Sequence, residues 1–385
     1  MDVLRLSTLE ELTPYAEAWD RLACGSPFRG WTWMSTWWRH YSDGPQGRSR
    51  LCVLCAFDGA GALAGVAPWY LDVSATQGRV LRFLGSGEVA SDHLSVLCRP
   101  GLEDRVTEAL ARWLSGRDSS GAAFSSRRDA DDWDLLELGG VDADDAAVGR
   151  LAEHLAARGN AVHRLSGPNW WRIELPERWE NYLAMLSKSH AKKLRRLQRR
   201  LLDTGRAVLR TVERLEELPR AAQILIDLHQ RRWRSLGRSG CFASRRFEAF
   251  HRDVMSGLLV AGQLQLHWIE LEGRPVAAEY QLAAGGVVYA YQSGIDPEAA
   301  GYSPGRLAQL ATMRRAIGEG CRALDLLRGD EPYKAHWRAR PHPTLRLRIV
   351  PARVGAQLRH GIWATGKSVK AWIKKGLRLV GARED

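Results

Sequence analysis

The residues best equipped for chemistry fall between Val287 and Trp337, VVYAYQSGIDPEAAGYSPGRLAQLATMRRAIGEGCRALDLLRGDEPYKAHW. Near the end of this stretch Asp330, Glu331, Tyr333 and Lys334 crowd together. Asp330 and Glu331 are candidate bases or binders of an amine, and Lys334 can anchor an anionic group or neutralise Asp330. The same set also suits ordinary surface ion pairs, which are common and weak. Two residues outside the stretch join it. His229, on a helix beside Arg231-Arg232-Trp233, titrates near neutrality and suits a base that deprotonates an acceptor, or else a structural role. Glu279 sits among apolar neighbours on a strand, where a carboxylate is costly unless it faces a cleft.

The elements that must hold these groups can be read around them. A strand over Val287 to Ser293 carries Tyr291, and a helix begins at Ser303-Pro304-Gly305-Arg306. Serine is a preferred cap, proline suits the first helical position, and glycine allows close approach to the backbone. Unpaired amides at such a start, with Arg306 in the first turn, make a cradle for a phosphate or pyrophosphate. The alternative is that Ser-Pro-Gly only caps a helix. Leu307, Leu310, Met313 and Ile317 recur at helical spacing and predict an apolar face against a sheet, with Gly318 and Gly320 as the stop.

Gly294-Ile-Asp-Pro, Tyr302-Ser-Pro-Gly, and Leu324 to Lys334 with Trp337 resemble the C-terminal signature of CelD/BcsL-like acyltransferases. That family lies in the GNAT superfamily and is related to the Fem-type peptidoglycan aminoacyltransferases. The resemblance runs more weakly from the Trp19 region to about Val350, through Pro27-Phe28, the basic segment near Lys193, and Leu228-His229 followed by Trp233. It implies tandem GNAT-like domains of the α/β class with mixed sheets, and acyl transfer from acyl-CoA to an amine or hydroxyl. The implied acceptor is a saccharide or cell-envelope precursor, with a hint of exopolysaccharide production. By the same resemblance, the fourth strand (Val287 to Ser293) splays from the fifth (Arg322 to Leu327) to admit the donor's pantetheine. Ser303, Pro304, Gly305 and Arg306, with Tyr291, would then bind the donor, and Tyr333 would protonate the leaving thiolate. The helix start departs from the superfamily's usual Q/R-x-x-G-x-G/A loop. Two other readings stay open: a Fem-like transferase taking aminoacyl-tRNA, and a non-catalytic module that binds carbohydrate or nucleic acid.

The 385 residues suffice for two domains with real cores, and 45% apolar content suits a globular chain. No apolar run is long enough to span a bilayer, and the acidic N-terminus MDVLRLSTLEEL lacks the pattern of a secretory signal. A cytoplasmic protein is expected, possible contact with the inner membrane coming from its tail. A net charge of +12 attracts something anionic without choosing among acyl-CoA, nucleotide sugar, tRNA and lipid. The six cysteines sit mostly among apolar neighbours; Cys52 and Cys55 form a lone C-x-x-C without the spacing of a metal site, so no metal is expected.

In order, two helices over Leu9 to Tyr41 carry Trp31, Trp33, Trp37 and Trp38, suited to sugar stacking or to packing. A hairpin follows over Arg50 to Leu71, then a strand at Val80 to Leu84, Gly85-Ser-Gly87 as a turn or a phosphate loop, and a helix at Glu103 to Leu114. Gly116 to Asp132 reads as a mobile polar insertion. A strand, a helix and a strand then run from Trp133 to Leu165. A single basic helix is predicted over Tyr182 to Leu202, with Lys188, Lys192, Lys193, Arg195, Arg196, Arg199 and Arg200 off its apolar face. It could follow an RNA backbone or simply be solvated. Hairpin, strand, helix, strand recurs over Gln263 to Arg328, which predicts a duplication: residues 1–165, 166–351, and a basic amphipathic tail 352–385. The tail suits either an anchor on anionic lipid or a helix lying back on the protein.

Overall fold

The computed structural model describes residues 1–23, 25–43, 49–116 and 133–361. The insertion from 117 to 132 and the tail beyond 361 lie outside the described residues.

The first half contains β1 (Asp2–Leu6), α1 (Leu9–Leu12), α2 (Ala16–Leu22), α3 (Trp31–Tyr41), β2 (Arg50–Leu51), β3 (Val53–Phe57), β4 (Leu63–Ala67), β5 (Trp69–Ser74), β6 (Gly78–Phe83), β7 (Leu97–Cys98), α4 (Glu103–Ser115), β8 (Leu135–Asp142), α5 (Ala146–Ala157) and β9 (Ala161–Ser166). The second half contains β10 (Trp170–Glu174), α6 (Trp179–Met185), α7 (Lys188–Leu197), β11 (Ala207–Thr211), α8 (Leu218–Ser235), α9 (Arg245–Val260), β12 (Leu264–Leu271), β13 (Arg274–Ala284), β14 (Val287–Ile295), α10 (Pro304–Gly318), β15 (Ala323–Arg328), α11 (Tyr333–His336), β16 (Arg340–His342) and β17 (Thr344–Val350). A helix over 354–361 follows, with Val354 and Leu358 exposed.

The strands form a four-stranded sheet β1-β3-β4-β7, a six-stranded sheet β2-β5-β6-β8-β17-β9 and a seven-stranded sheet β11-β12-β13-β14-β15-β10-β16. Each of the larger sheets has one parallel pair, β6 with β8 and β14 with β15, surrounded by antiparallel neighbours. These are the α/β mixed sheets of a tandem fold. The second half also lends a strand to the first. β10 pairs with β15 and β16 in the second sheet, whereas β17 pairs with β8 and β9 in the first. Residues 344–350 therefore belong to the sheet of the first half, although they follow the second in sequence.

The α10 face predicted from spacing is buried: Leu310, Met313 and Ile317 pack with Val288 and Leu324, and Leu307 packs with Ile269 and Ala277. The tryptophans of α3 pack rather than line a surface. Trp33 is fully buried and meets Phe28, Phe250 and Tyr291 edge-on. Cys52 and Cys55 are buried core thiols.

The helix predicted over Tyr182 to Leu202 is broken. Ser187 leaves the helix in an extended conformation and its hydroxyl accepts from the His190 N–H, so α6 stops and α7 starts again. Periodicity alone does not register this, because the apolar spacing continues through the break.

Candidate active site

β14 and β15 pair at Val287–Ala323, Val288–Leu324 and Tyr289–Asp325, and then part. The register between β13 and β14 explains why. Tyr280 pairs with Gln292 but Gln281 pairs with Ala290, so Tyr291 is an extra residue, a bulge that bends β14. Beyond it β14 stays with β13 as far as Ile295, while β15 is held by β10. Two strands pulled by different neighbours leave a gap, and a cavity of about 660 Å³ occupies it. Side chains alternate across a strand. Ala277 and Gln281 therefore face α10, and Glu279 with them, whereas Tyr280 faces His251 and Tyr291. Since Glu279 and Tyr291 both line it, the cavity runs through the opened sheet.

Of the residues singled out in the sequence, the cavity brings together Glu279, Tyr291, Gly305, Arg306, Glu331, Tyr333 and Lys334. Glu279 is buried and has no hydrogen-bond partner among the described residues; burial pushes its carboxyl up to about 8. Its cross-strand neighbour His267 offers no compensating charge, because burial holds it neutral, down to about 3. Tyr333 is half exposed, and partial burial with the charges of Glu279 and Glu331 pushes its phenol up to about 12.

The helix start differs in detail from its sequence reading. Ser303 adopts a left-handed conformation (φ 53°, ψ 57°) and its side chain caps nothing; its carbonyl accepts from Leu307. Neither Ser303 nor Pro304 lines the cavity. The backbone N–H groups of Gly305 and Arg306 have no hydrogen-bond partner among the described residues, and both residues do line it. Arg232 from α8 faces the same space, and neither it nor Arg306 has an acidic partner among the described residues.

Four candidates are otherwise engaged. Asp330 accepts from Trp171 Nε1 (2.9 Å) and Asn169 Nδ2 (3.1 Å), which hold its carboxyl below the usual range and tie it to β10 outside the cavity. Lys334 is buried: its Nζ donates to the carbonyls of Leu327, Arg328 and Gly329 at 3.0–3.1 Å and pairs with Glu331 rather than with Asp330, so it fastens the end of β15. The Tyr291 hydroxyl donates to the Val89 carbonyl at 2.6 Å, which fixes the bulge against the first half. His229 is buried behind the wall and does not line the cavity; its Nε2 lies 3.4 Å from Sγ of Cys241, which does.

The first half supplies a wall that sequence reasoning missed. The loop from Glu88 to Asp92 enters the cavity, Asp92 pairs with Arg328, and the Arg328 guanidinium donates to the Ser91 carbonyl. His93 bridges Asp142 of the first half (3.3 Å) and Asp325 of the second (3.1 Å). Burial opposes its charged form, but the two carboxylates raise it to about 9, so it holds as a cation. Partners more than two hundred residues apart leave no local pattern to find.

The comparisons agree with this architecture. Residues 188–335 match the acetyltransferase (GNAT) domain family. A search of curated proteins returns no match. Among solved structures the fold is similar to that of FemX (TM-score 0.59, 12% identity, 90% of this chain and 97% of that one). It is also similar to a conserved protein of unknown function from Bacteroides thetaiotaomicron (0.55, 10%, 89% and 96%). A third is the C-terminal domain of a protein assigned as a lysylphosphatidylglycerol synthetase from Agrobacterium fabrum (0.52, 12%, 90% and 94%). At such identities the likeness is one of fold. The matched residues run from α7 into α11 and include the cavity lining between Arg232 and Lys334.

Proposed function

We propose that the chain is a GNAT-type acyltransferase of the CelD/BcsL-like kind, moving an acetyl or longer acyl group from acyl-CoA to an amine or hydroxyl of a saccharide or cell-envelope precursor. The observation that carries this reading is Glu279, a buried carboxylate without a hydrogen-bond partner among the described residues, lining the same opened sheet as the α10 amides that are unpaired among them. A buried ionisable group left unpaired in a cleft is costly, and a proton-transfer role accounts for it.

The donor's phosphates sit against the N–H groups of Gly305 and Arg306, with the guanidinium groups of Arg306 and Arg232 close by. The acyl-bearing arm enters between β14 and β15. Glu279, poised near neutrality, takes a proton from the acceptor's ammonium or hydroxyl. Tyr333, kept protonated by its raised pKa, donates to the departing thiolate. Side chains fixed by the fold thus meet both charge changes of the reaction.

One observation favours a second donor. Lys188, Lys192, Lys193, Arg195, Arg196, Arg199 and Arg200 have no acidic partner among the described residues, and Arg200 stacks over Tyr302 just before α10. A Fem-like aminoacyl-tRNA would use such a stripe, with salt-sensitive affinity. The deciding experiment measures binding of acetyl-CoA and of tRNA across a salt series, followed by thiol release on adding amino sugars. Saturable acetyl-CoA binding with thiol release supports the CoA reading. Binding of tRNA without any acetyl-CoA binding replaces it with the second.

A further inference from the structure

Cys241 opens a short turn between α8 and α9, and its side chain lines the cavity. Its sulfur lies 3.4 Å from Nε2 of His229, and Nδ1 of that ring lies 3.1 Å from Oε1 of Gln230. The Gln230 amide has a defined orientation, because its Nε2 donates to the Ser239 carbonyl at 2.8 Å, which leaves the oxygen facing the imidazole. An amide oxygen can only accept, so Nδ1 carries the ring proton and Nε2 turns its lone pair to the thiol. Nucleophile, base and orienting acceptor thus stand in the order that covalent acyl transfer requires.

The backbone is shaped around this set. Gly240 has φ +70°, and a Cβ there would lie 2.3 Å from Gln230 Oε1 and about 3 Å from the His229 ring. A Cβ on Gly294 would lie 2.4 Å from the backbone nitrogen of His229. Gly240 therefore admits the His229 and Gln230 side chains, and Gly294 lets α8 lie close against β14. Independently, the unpartnered and nearly fully buried Glu279 lines the same cavity.

We propose that the acyl group passes through Cys241, an inference that rests on the acyltransferase reading above. In the first half-reaction the Cys241 S–H proton moves to His229 Nε2 while Sγ attacks the donor's thioester carbonyl. The carbonyl carbon's bond to the donor sulfur breaks, the departing thiolate takes its proton from Tyr333, and the proton held by His229 restores the Tyr333 phenol. In the second, an amine freed of its first proton by Glu279 attacks the Cys241 thioester. Its second proton passes through His229 to Sγ as the carbon–sulfur bond breaks, which restores the thiol. Burial pushes the thiol up to about 12 and His229 downward, so both rest neutral and the proton moves only as the new bond forms.

The test incubates the full chain with acetyl-CoA and no acceptor, quenches with acid and maps peptides by mass spectrometry. The expected result is one acetyl group on Cys241, removed by neutral hydroxylamine, absent from Cys241→Ala, and formed about 100-fold more slowly in His229→Gln. Gln230→Leu, which removes the orienting oxygen, is expected to slow acetylation about 10-fold and shift its pH profile without changing acetyl-CoA affinity. Cys241→Ala should still bind acetyl-CoA, which separates loss of the nucleophile from loss of the fold. Thiol release by Cys241→Ala at the wild-type rate with an acceptor present, or turnover by the wild type with no acetyl group on Cys241, overturns the relay and leaves the acyltransferase reading standing. Failure of the wild type to bind acetyl-CoA overturns both.

Discussion

Each half of the molecule buries a carboxylate on its sheet, Glu137 within the parallel pair and Glu279 on the strand next to it, and the two are treated in opposite ways. Glu137 on β8 accepts from Arg82, Arg346 and Arg348. Burial works against its charge, but those guanidinium groups hold it below the usual carboxylate range. Glu279 on β13 has no such partner and is driven up to about 8. The strands differ in the same sense. β5 and β6 pair without a bulge, and β6 ends one residue beyond its last pair with β8. β14 bulges at Tyr291 and runs on for six residues after leaving β15. In the first half the buried charge is satisfied by guanidinium groups and the strands pair without a bulge; in the second a bulge opens the sheet and a charge is left over. The difference sets a half whose buried charge is paired against a half whose buried charge faces an open cavity.

The largest effect should come from the leftover carboxylate. Glu279→Gln is expected to cut turnover by about 10²–10⁴-fold while the fold persists. Its effect on stability has a definite sign. The folded pKa is raised from 4.5 to about 8, so between those values the folded state binds the extra proton and stability falls as pH rises. Removing the acid should therefore raise the melting temperature more at pH 8 than at pH 5, which parallel melts would check. Glu137→Gln should do the reverse: it leaves three guanidinium groups around a neutral amide and costs about 3–5 kcal/mol in denaturant unfolding. If the two variants lose activity and stability alike, the contrast between the halves is wrong.

Smaller effects sharpen the picture. Tyr333→Phe should lower kcat by about 10–100-fold with little change in donor KM, and the loss should shrink with a donor whose leaving thiol is more acidic. Arg306→Ala should raise the donor KM by about 10-fold at unchanged kcat, an effect that salt weakens. Asp330→Asn should change rates by no more than about twofold, since the residue is bound to Trp171 and Asn169 away from the cavity.

Much of the framework was legible in the sequence. Apolar spacing marked the buried face of α10, and recurring hairpin, strand and helix anticipated two mixed sheets, each with one parallel pair. Glu279 stood out because a carboxylate between apolar strand residues needs an explanation. What escaped depends on contacts without local signature. The placement of β17 is decided by pairing across the halves, and a bulge of one residue leaves the alternation of β14 looking intact. Asp330 and Lys334 have the residue types of a site, yet one is claimed by β10 and the other by three carbonyls, choices only the folded chain makes. Cys241 became notable once His229 was found beside it.

The most direct test of the contrast is calorimetric titration of acetyl-CoA into the wild type, Arg306→Glu and Arg346→Gln. The account predicts one saturable site, abolished by the change at the start of α10 and retained when the first half's network is altered. Binding that survives Arg306→Glu, or that is lost with Arg346→Gln in a folded protein, would place the donor in the wrong half and contradict it.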